Sequence, residues 1–169
     1  IDRVKGILIT HGHEDHIGGI PFLLKQANVP IYAGPLALAL IRGKLEEHGL
    51  LRDAKLYEIN QNTELKFKNL KATFFRTTHS IPESLGIVIK TDEGNIVYTG
   101  DFKFDQSASE SYATDFGRLA EIGREGVLAL LSDSANADSN VQVASESEVG
   151  EEIMHTIGDW GGRVIVAAV

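Results

Sequence analysis

Residues 10–19 read THGHEDHIGG, a stretch that carries three imidazoles and two carboxylates within six residues. It follows a short apolar run rich in β-branched residues, which predicts a buried strand. Because α/β proteins usually present functional groups in the loop after such a strand, the stretch predicts a site. Alternate spacing lets His11 and His13 point the same way, as two ligands for one metal ion. Asp15 and His16 fall on the following turn and can face a second ion.

Two single ligand-type residues lie farther along the chain, each just after a predicted strand. These are His79 in the segment THS and Asp101 in the segment GDF, and each is a weak signal that gains weight only from the cluster upstream. Without a metal, that cluster would leave several polar groups to satisfy in an apolar setting. Imidazole and carboxylate suit Zn²⁺ and also Mn²⁺, and composition does not separate them.

The remaining polar residues of these segments are interpreted as ordinary surface residues. Glu14 is skipped by the ligand pattern, so we expect it to face solvent. His48 and His155 lie alone on predicted helices and are also expected at the surface.

Composition limits the class of protein. The 169 residues are 43% hydrophobic, which is enough for one substantial core, and the net charge of −8 speaks against gripping nucleic acid by bulk charge. This excess of acidic over basic residues is typical of a cytoplasmic protein. With no cysteine, disulfides and thiolate zinc sites are excluded. No apolar run is long enough for a membrane helix, and no signal peptide opens the chain.

Hydrophobic periodicity predicts an α/β fold with an antiparallel middle section. Residues 92–94 (DEG) give a hairpin signal, and the strand hydrophobics, Met154 and Trp160 are predicted core residues. The predicted strands are Val4–Thr10, Pro30–Ala33, Lys55–Ile59, Glu64–Lys68, Leu70–Thr77, Leu85–Thr91, Asn95–Thr99, Val127–Leu131 (buried) and Arg163–Val169. The predicted helices are Pro21–Gln26, Pro35–His48, Asp115–Arg124 and Ser145–Ile157.

A polar linker over Ala135–Ala144 is the best candidate for a domain boundary. It divides the chain into residues 1–144 and 145–169, and the second part opens on a capping box formed by Ser145 and Glu148. The chain starts directly in a strand, without methionine, and ends in an apolar strand, so we expect it to be a fragment of a longer protein.

The motif His11-x-His13-x-Asp15-His16 resembles the signature of the metallo-β-lactamase superfamily, and His79 and Asp101 match its third and fourth metal motifs. The stretches THGHEDHIGGIPFLL, FFRTTHSIPESLGIVI, YTGDFKFD and LLSDSAN look like the bacterial ribonuclease J family of the β-CASP group. The resemblance covers essentially the whole chain. It implies an αββα sandwich, partial because N-terminal strands are missing, that runs into the start of a β-CASP domain at residues 145–169.

The resemblance also implies roles for the site residues. His11, His13 and His79 would hold one ion, Asp15 and His16 the other, and Asp101 would bridge them. Asp133 matches an acidic β-CASP motif and would orient a later histidine. The implied activity is hydrolysis of RNA by two divalent ions, Zn²⁺ first and Mn²⁺ as the alternative, which share an activating hydroxide. The resemblance further implies that the enzyme cleaves RNA internally, degrades it in the 5′-to-3′ direction and is cytoplasmic. It also implies a homo-oligomer, or a hetero-oligomer with a paralogous ribonuclease J.

Two departures from the family pattern lower the expected activity. Gln106–Asp115 and Ala135 are more similar to the second paralogue of Gram-positive bacteria, which is often catalytically weak. The second ion's remaining histidine is expected beyond Val169, so this chain alone is expected to be inactive.

Three alternatives stay open. A small-molecule hydrolase of the same fold, such as a thioesterase or a lactamase, shares the histidine cluster but is not expected to carry GDFKFD followed by the capped helix at Ser145. A non-catalytic subunit that stabilises an active paralogue would be distinguished by metal content and nuclease assays. DNA-processing β-CASP enzymes share the metal motifs, and the longer matches favour RNA.

Overall fold

The computed structural model describes residues 3–109, 112–140 and 143–167. Its strands are β1 (Ile7–Leu8), β2 (Ile31–Ala33), β3 (Leu56–Glu58), β4 (Glu64–Phe67), β5 (Leu70–Arg76), β6 (Leu85–Thr91), β7 (Gly94–Tyr98) and β8 (Val127–Leu131). Its α-helices are α1 (Glu14–Ile17), α2 (Ile20–Leu24), α3 (Pro35–Glu47), α4 (Phe116–Glu125) and α5 (Glu146–Asp159), with one 3₁₀ turn at Leu51–Asp53.

The strands form two sheets of different character. β1, β2 and β3 make a parallel three-stranded sheet in that order. β4 to β8 make a five-stranded sheet in chain order, antiparallel except for the parallel pair β7–β8. The hairpin predicted at residues 92–94 is present, because Thr91 pairs with Gly94 and Gly94 takes a φ of 138° that favours glycine.

Three apolar clusters separate four layers. The first lies between the small sheet and helices α2 and α3, and the second lies between the two sheets, where Leu8 and Tyr32 meet Phe74 and Ile87. The third packs the outer face of the large sheet against α4 through Val97 and Ile122. The layers therefore run helix, sheet, sheet, helix, which confirms the predicted αββα sandwich.

The three longer helices begin and end within two residues of their predicted bounds, whereas the short helix α1 was not predicted. Pro35 occupies the first turn of α3, whose buried face carries Ala37, Leu38, Ile41 and Leu45, and Gly49 takes a φ of 67° just after its end. The Asp115 side chain caps α4 by accepting from the Arg118 N–H, and Ser145 and Glu148 form the predicted capping box of α5. No helix in the described part of the chain is long and apolar enough to cross a membrane.

The outer strands differ from the sequence prediction. The ladder of β1 covers only Ile7 and Leu8, since β2 is its only partner among the described residues. β8 has the predicted bounds but is exposed along its whole length instead of buried, because it pairs with β7 on one edge and no described layer covers it.

The C-terminal part of the chain differs more strongly. No strand forms over the described residues 163–167, where the backbone has no strand partner, while Ala168 and Val169 lie outside the described residues. Met154 and Trp160 were predicted in the core, but 70% and 65% of their surface is exposed. The apolar face of α5 has no described layer to pack against, so its periodicity alone does not bury it.

Candidate metal centre

Three segments of the chain, each following a strand, bring the six predicted ligands together. His11 lies after β1, and His13 is the N-terminal cap residue of α1, with an extended backbone whose carbonyl accepts from the His16 and Ile17 N–H groups. Asp15 and His16 lie on α1 itself. The two remaining ligands come from the large sheet, His79 after β5 and Asp101 after β7.

The first ligand group combines three histidines and one carboxylate. Single ligand atoms of His11, His13, His79 and Asp101 all lie within 4.8 Å of one another. His79 Nε2 is 3.0 Å from His13 Nδ1, and the rings of His11 and His79 meet edge to face at a centroid distance of 4.8 Å. Three nitrogens and one oxygen that converge in this way can hold a four-coordinate metal ion.

The second ligand group shares Asp101 with the first. It contains Asp15, His16 and Asp101, again with ligand atoms within 4.8 Å. Asp101 Oδ1 lies 3.3 Å from His16 Nε2, whereas Asp101 Oδ2 lies 3.8 Å from His11 Nε2 and 3.7 Å from His79 Nε2. The two carboxylate oxygens thus face different ligand groups.

His11 supplies a direct test of whether a cation fits. Its side chain is buried, its Nδ1 lies 3.0 Å from Thr10 Oγ1, and its Nε2 has no hydrogen-bond partner among the described residues. Burial, followed by the neighbouring imidazoles of His16, His79 and His13, lowers the pKa of His11 to about 3. The ring is therefore neutral at physiological pH, and its unpartnered nitrogen can donate a lone pair to a metal ion.

Asp133 lies outside both ligand groups but acts on the site through its charge. Burial and the His13 ring lower the pKa of His79, and the carboxylates of Asp101 and Asp133 oppose that shift. Asp133 is fixed by its own N–H, which donates to Thr99 Oγ1, and by its Oδ1, which accepts from the Ala135 N–H. Burial also raises the pKa of Tyr98, with contributions from the acidic groups of the site.

Residues that the sequence analysis did not single out hold the ligand loops. The Thr10 carbonyl accepts from the Leu85 N–H and so ties the His11 loop to the large sheet. Thr78, just before His79, exchanges hydrogen bonds with Thr114 and donates to the Tyr112 carbonyl. A buried threonine pair gives no sequence signal, because threonine is equally common on exposed strands.

The polar residues that were expected at the surface lie outside both ligand groups. Glu14 is exposed, as predicted, and pairs with Lys44. His48 is exposed and packs edge to face against Phe22, whereas His155 is exposed on α5 and lies 3.3 Å from Asp159.

The sequence profile described as the metallo-beta-lactamase superfamily matches residues 1–156, nearly the whole chain. The chain belongs to the metallo-β-lactamase superfamily. Membership of this superfamily explains the ligand cluster after β1 and the four-layer fold.

Within the superfamily, the chain is similar to bacterial ribonucleases. It is 64% identical over 99% of its length to Ribonuclease J 1 of Streptococcus pyogenes, and 56% identical over 99% to Ribonuclease J 2 of the same organism. Identity to Ribonuclease J2 of Bacillus subtilis is 48% over 98% of the chain. The chain spans about 30% of the length of each of these curated relatives.

Solved structures share the fold at low sequence identity. Zn²⁺-bound PqqB from Methylobacterium extorquens gives a TM-score of 0.59 at 18% identity, covering 83% of this chain and 51% of that one. A protein of unknown function from Enterococcus faecalis V583 gives 0.64 at 16% identity, covering 89% and 38% of the two chains. These likenesses support the fold alone.

Proposed function

We propose that the chain is the metal-binding part of a two-metal ribonuclease of the ribonuclease J type. The observation that carries the proposal is the pair of ligand groups that share Asp101, with one carboxylate oxygen toward each. The similarity to curated proteins named ribonuclease J supports RNA as the substrate. A small-molecule hydrolase would not be expected to show this similarity over 99% of the chain.

The six ligands divide the work between two ions. His11, His13 and His79 would hold one ion, Asp15 and His16 the other, and Asp101 would bridge them. When bound, such ions activate water and stabilise the charge that builds up on a phosphodiester in hydrolysis. Zn²⁺ suits the neutral imidazoles best, and Mn²⁺ is the alternative.

The protein's own side chains set the electrostatics of the reaction. With a net charge of −8, RNA would be held by the ions together with a local groove and not by bulk charge. Asp133, which contributes to the electrostatics of His79, would hold a catalytic histidine in position and would not bind metal itself.

The proposal extends to organisation. Residues 1–144 would form part of the metallo-β-lactamase domain, and residues 145–169 the beginning of a β-CASP domain. The complete enzyme would act in the cytoplasm, cut RNA internally and from its 5′ end, and assemble with itself or with a paralogous ribonuclease J.

The isolated chain is proposed to be inactive on RNA. Its first ligand group offers four protein ligands, which can close a tetrahedral site. Its second group offers three, among the residues that the structure describes, and should hold an ion more weakly.

A chimera tests the activity. This chain would replace the matching segment of the Streptococcus pyogenes Ribonuclease J 1, to which it is 64% identical. We expect the chimera to cleave single-stranded RNA, and we expect His13→Ala to reduce cleavage at least a hundredfold under limiting metal, because it removes a ligand of the first group.

His155→Ala is the matched control, since that histidine is exposed and its ion-pair partner within the described part of the chain is Asp159. A chimera with normal metal content that does not cleave RNA would instead support a catalytically weak subunit. Parental cleavage by the His13→Ala chimera would show that the ligand assignment is wrong.

A further inference from the structure

Three phenylalanines form a continuous aromatic row whose first member is the neighbour in sequence of the proposed ligand Asp101. Phe102 directly follows Asp101, its ring centroid lies 5.1 Å from that of Phe104, and the Phe104 centroid lies 5.4 Å from that of Phe116. The planes are tilted by 52° and 44°, so no ring covers the face of the next. Phe104 is 66% exposed and Phe116 46% exposed.

The aromatic row does not serve the core of the fold. None of its members belongs to the three apolar clusters that hold the layers together. An exposed phenylalanine forgoes the roughly 1.5–3 kcal/mol that burial of the side chain would contribute. Phe102 is half-buried, whereas Phe104 and Phe116 are adjacent exposed rings, which are typical of a binding surface.

The charges around the aromatic row disfavour phosphate as its direct ligand. Lys103, which lies between two of the phenylalanines, is already engaged by Glu146 at 2.5 Å and by the Ala144 carbonyl at 3.0 Å. The Glu146 N–H donates to Asp105, and this hydrogen bond contributes most to holding the pKa of Asp105 below its ordinary value. That carboxylate therefore stays ionised at neutral pH and repels anions, whereas the uncharged face of a base can still stack on a ring.

We infer that the aromatic row is a stacking platform for the bases of single-stranded RNA that flank the phosphodiester at the metal centre. The inference rests on the proposed function and deepens it. A cavity of about 700 Å³, lined in part by Phe102, Phe104 and Asp133, lies beside the row and is large enough for a nucleotide. Stacking of bases on aromatic side chains tolerates any sequence, because every base has an aromatic face.

Binding of a short oligoribonucleotide tests the inference without any chemistry. Fluorescence anisotropy would follow a labelled oligouridylate and the 169-residue chain in a chelating buffer, so that a failure of the metal proposal cannot change the result. We expect Phe104→Ala to weaken binding about five- to a hundredfold, which is the range for losing one stacked base. Phe104→Trp should bind at least as tightly as the parent chain.

Two controls separate stacking from other causes. Phe22→Ala removes an equally exposed ring that contacts His48 and should leave the affinity unchanged. An abasic oligomer with the same phosphates should bind the parent chain and Phe104→Ala equally. The loss caused by Phe104→Ala should also be the same at low and high salt, because no phosphate contact is removed.

Three outcomes would overturn the inference. The first is that Phe104→Ala binds RNA with unchanged affinity. The second is that the parent chain binds the abasic and the base-bearing oligomers equally, or binds neither. The third is that the loss of affinity caused by Phe104→Ala disappears at high salt. A change in self-association of Phe104→Ala without any change in RNA affinity would show that the row contacts protein.

Discussion

Asp101 is the residue on which the arrangement of the site depends. Its Oδ1 faces His16, and its Oδ2 faces His11 and His79. A side chain in this position takes part in both ligand groups, whereas Asp15 belongs only to the second.

Substitution of the two aspartates should therefore have different effects on metal content. We expect Asp101→Ala to lose both ions, and Asp15→Ala to lose only the weaker one while keeping about one ion per chain. Elemental analysis after gel filtration at several Zn²⁺ concentrations measures this, with Asp92→Ala in an exposed turn as the control. Equal metal content for Asp101→Ala and Asp15→Ala would contradict a bridging role.

His11 should make the metal-free chain sensitive to mild acid. Its pKa is about 3 in the folded chain and close to 6.5 when unfolded, so the unfolded chain binds the extra proton between these values. Stability is then fully present above pH 6.5 and is lost as the pH falls toward 3. The lowered pKa of His79 acts in the same direction.

Urea unfolding at pH 7, 6 and 5 in the presence of a chelator checks this prediction. The free energy of unfolding should fall by up to about 1.4 kcal/mol per pH unit for each proton taken up. Between pH 7 and 6 the carboxylates with lowered pKa values are ionised in both states, so the slope there reports histidine, whereas near pH 5 these carboxylates begin to add to the loss of stability. His11→Asn should flatten the slope, and an identical slope in that variant would count against the prediction.

At the level of elements, the end of β7 sets the position of Asp101. Gly100 takes a φ of 60°, and a Cβ built there would lie 2.9 Å from Cβ of Thr10. Only glycine combines this backbone with this close approach, and it lets the large sheet meet the His11 loop.

Gly100→Ala should destabilise the chain by about 1–3 kcal/mol and weaken its affinity for the first ion, because backbone strain and the contact with Thr10 both displace Asp101. Gly43→Ala is the matched control, since it lies in α3 and, among the described residues outside its own stretch of helix, no atom lies within 4 Å of an added Cβ. That variant should gain up to about 1 kcal/mol from better helix propensity. Urea unfolding and Zn²⁺ titration measure both effects, and a neutral Gly100→Ala would refute the argument.

β8 is the element most exposed to wrong pairing. All five of its residues (VLALL) are apolar and exposed, and its outer edge has no strand partner within the described residues. Natural proteins usually protect such an edge with charged residues, and here the strand contains none.

The isolated chain should therefore associate with itself through β8. Leu130→Lys places a charge on the strand and should shift the population toward monomer, whereas Leu70→Lys makes the same change at an exposed position of the internal strand β5 and should not. Sedimentation velocity at several protein concentrations measures the distribution. Unchanged association in the Leu130→Lys chain would point to another surface.

At the scale of the whole molecule, packing of the two sheets assembles the site. His11, His13, Asp15 and His16 belong to the small-sheet side, whereas His79 and Asp101 come from the large sheet. The apolar cluster between the sheets holds these halves together, so metal binding and folding should be coupled.

The sequence by itself determined what is local in this protein. Four of the ligand candidates lie within six residues of one another, so their closeness is set by the local backbone: His11, His13, Asp15 and His16. Strand alternation, helix caps and the hairpin at residues 92–94 also depend on a few adjacent residues. These features predicted an α/β fold with an antiparallel middle section and four of the six ligand candidates, whereas His79 and Asp101 were weak signals that gained weight from the upstream cluster and the family resemblance.

Only the tertiary structure decided what depends on distant parts of the chain. The orientation of the Asp101 oxygens, the unpartnered nitrogen of His11 and the contact of Gly100 with Thr10 each require two loops to meet. For the same reason, β8 and Trp160 were wrongly predicted to be buried, although both are exposed. An apolar pattern shows which face of an element can be buried, but burial requires another layer to pack on that face, and no local stretch of sequence encodes that layer.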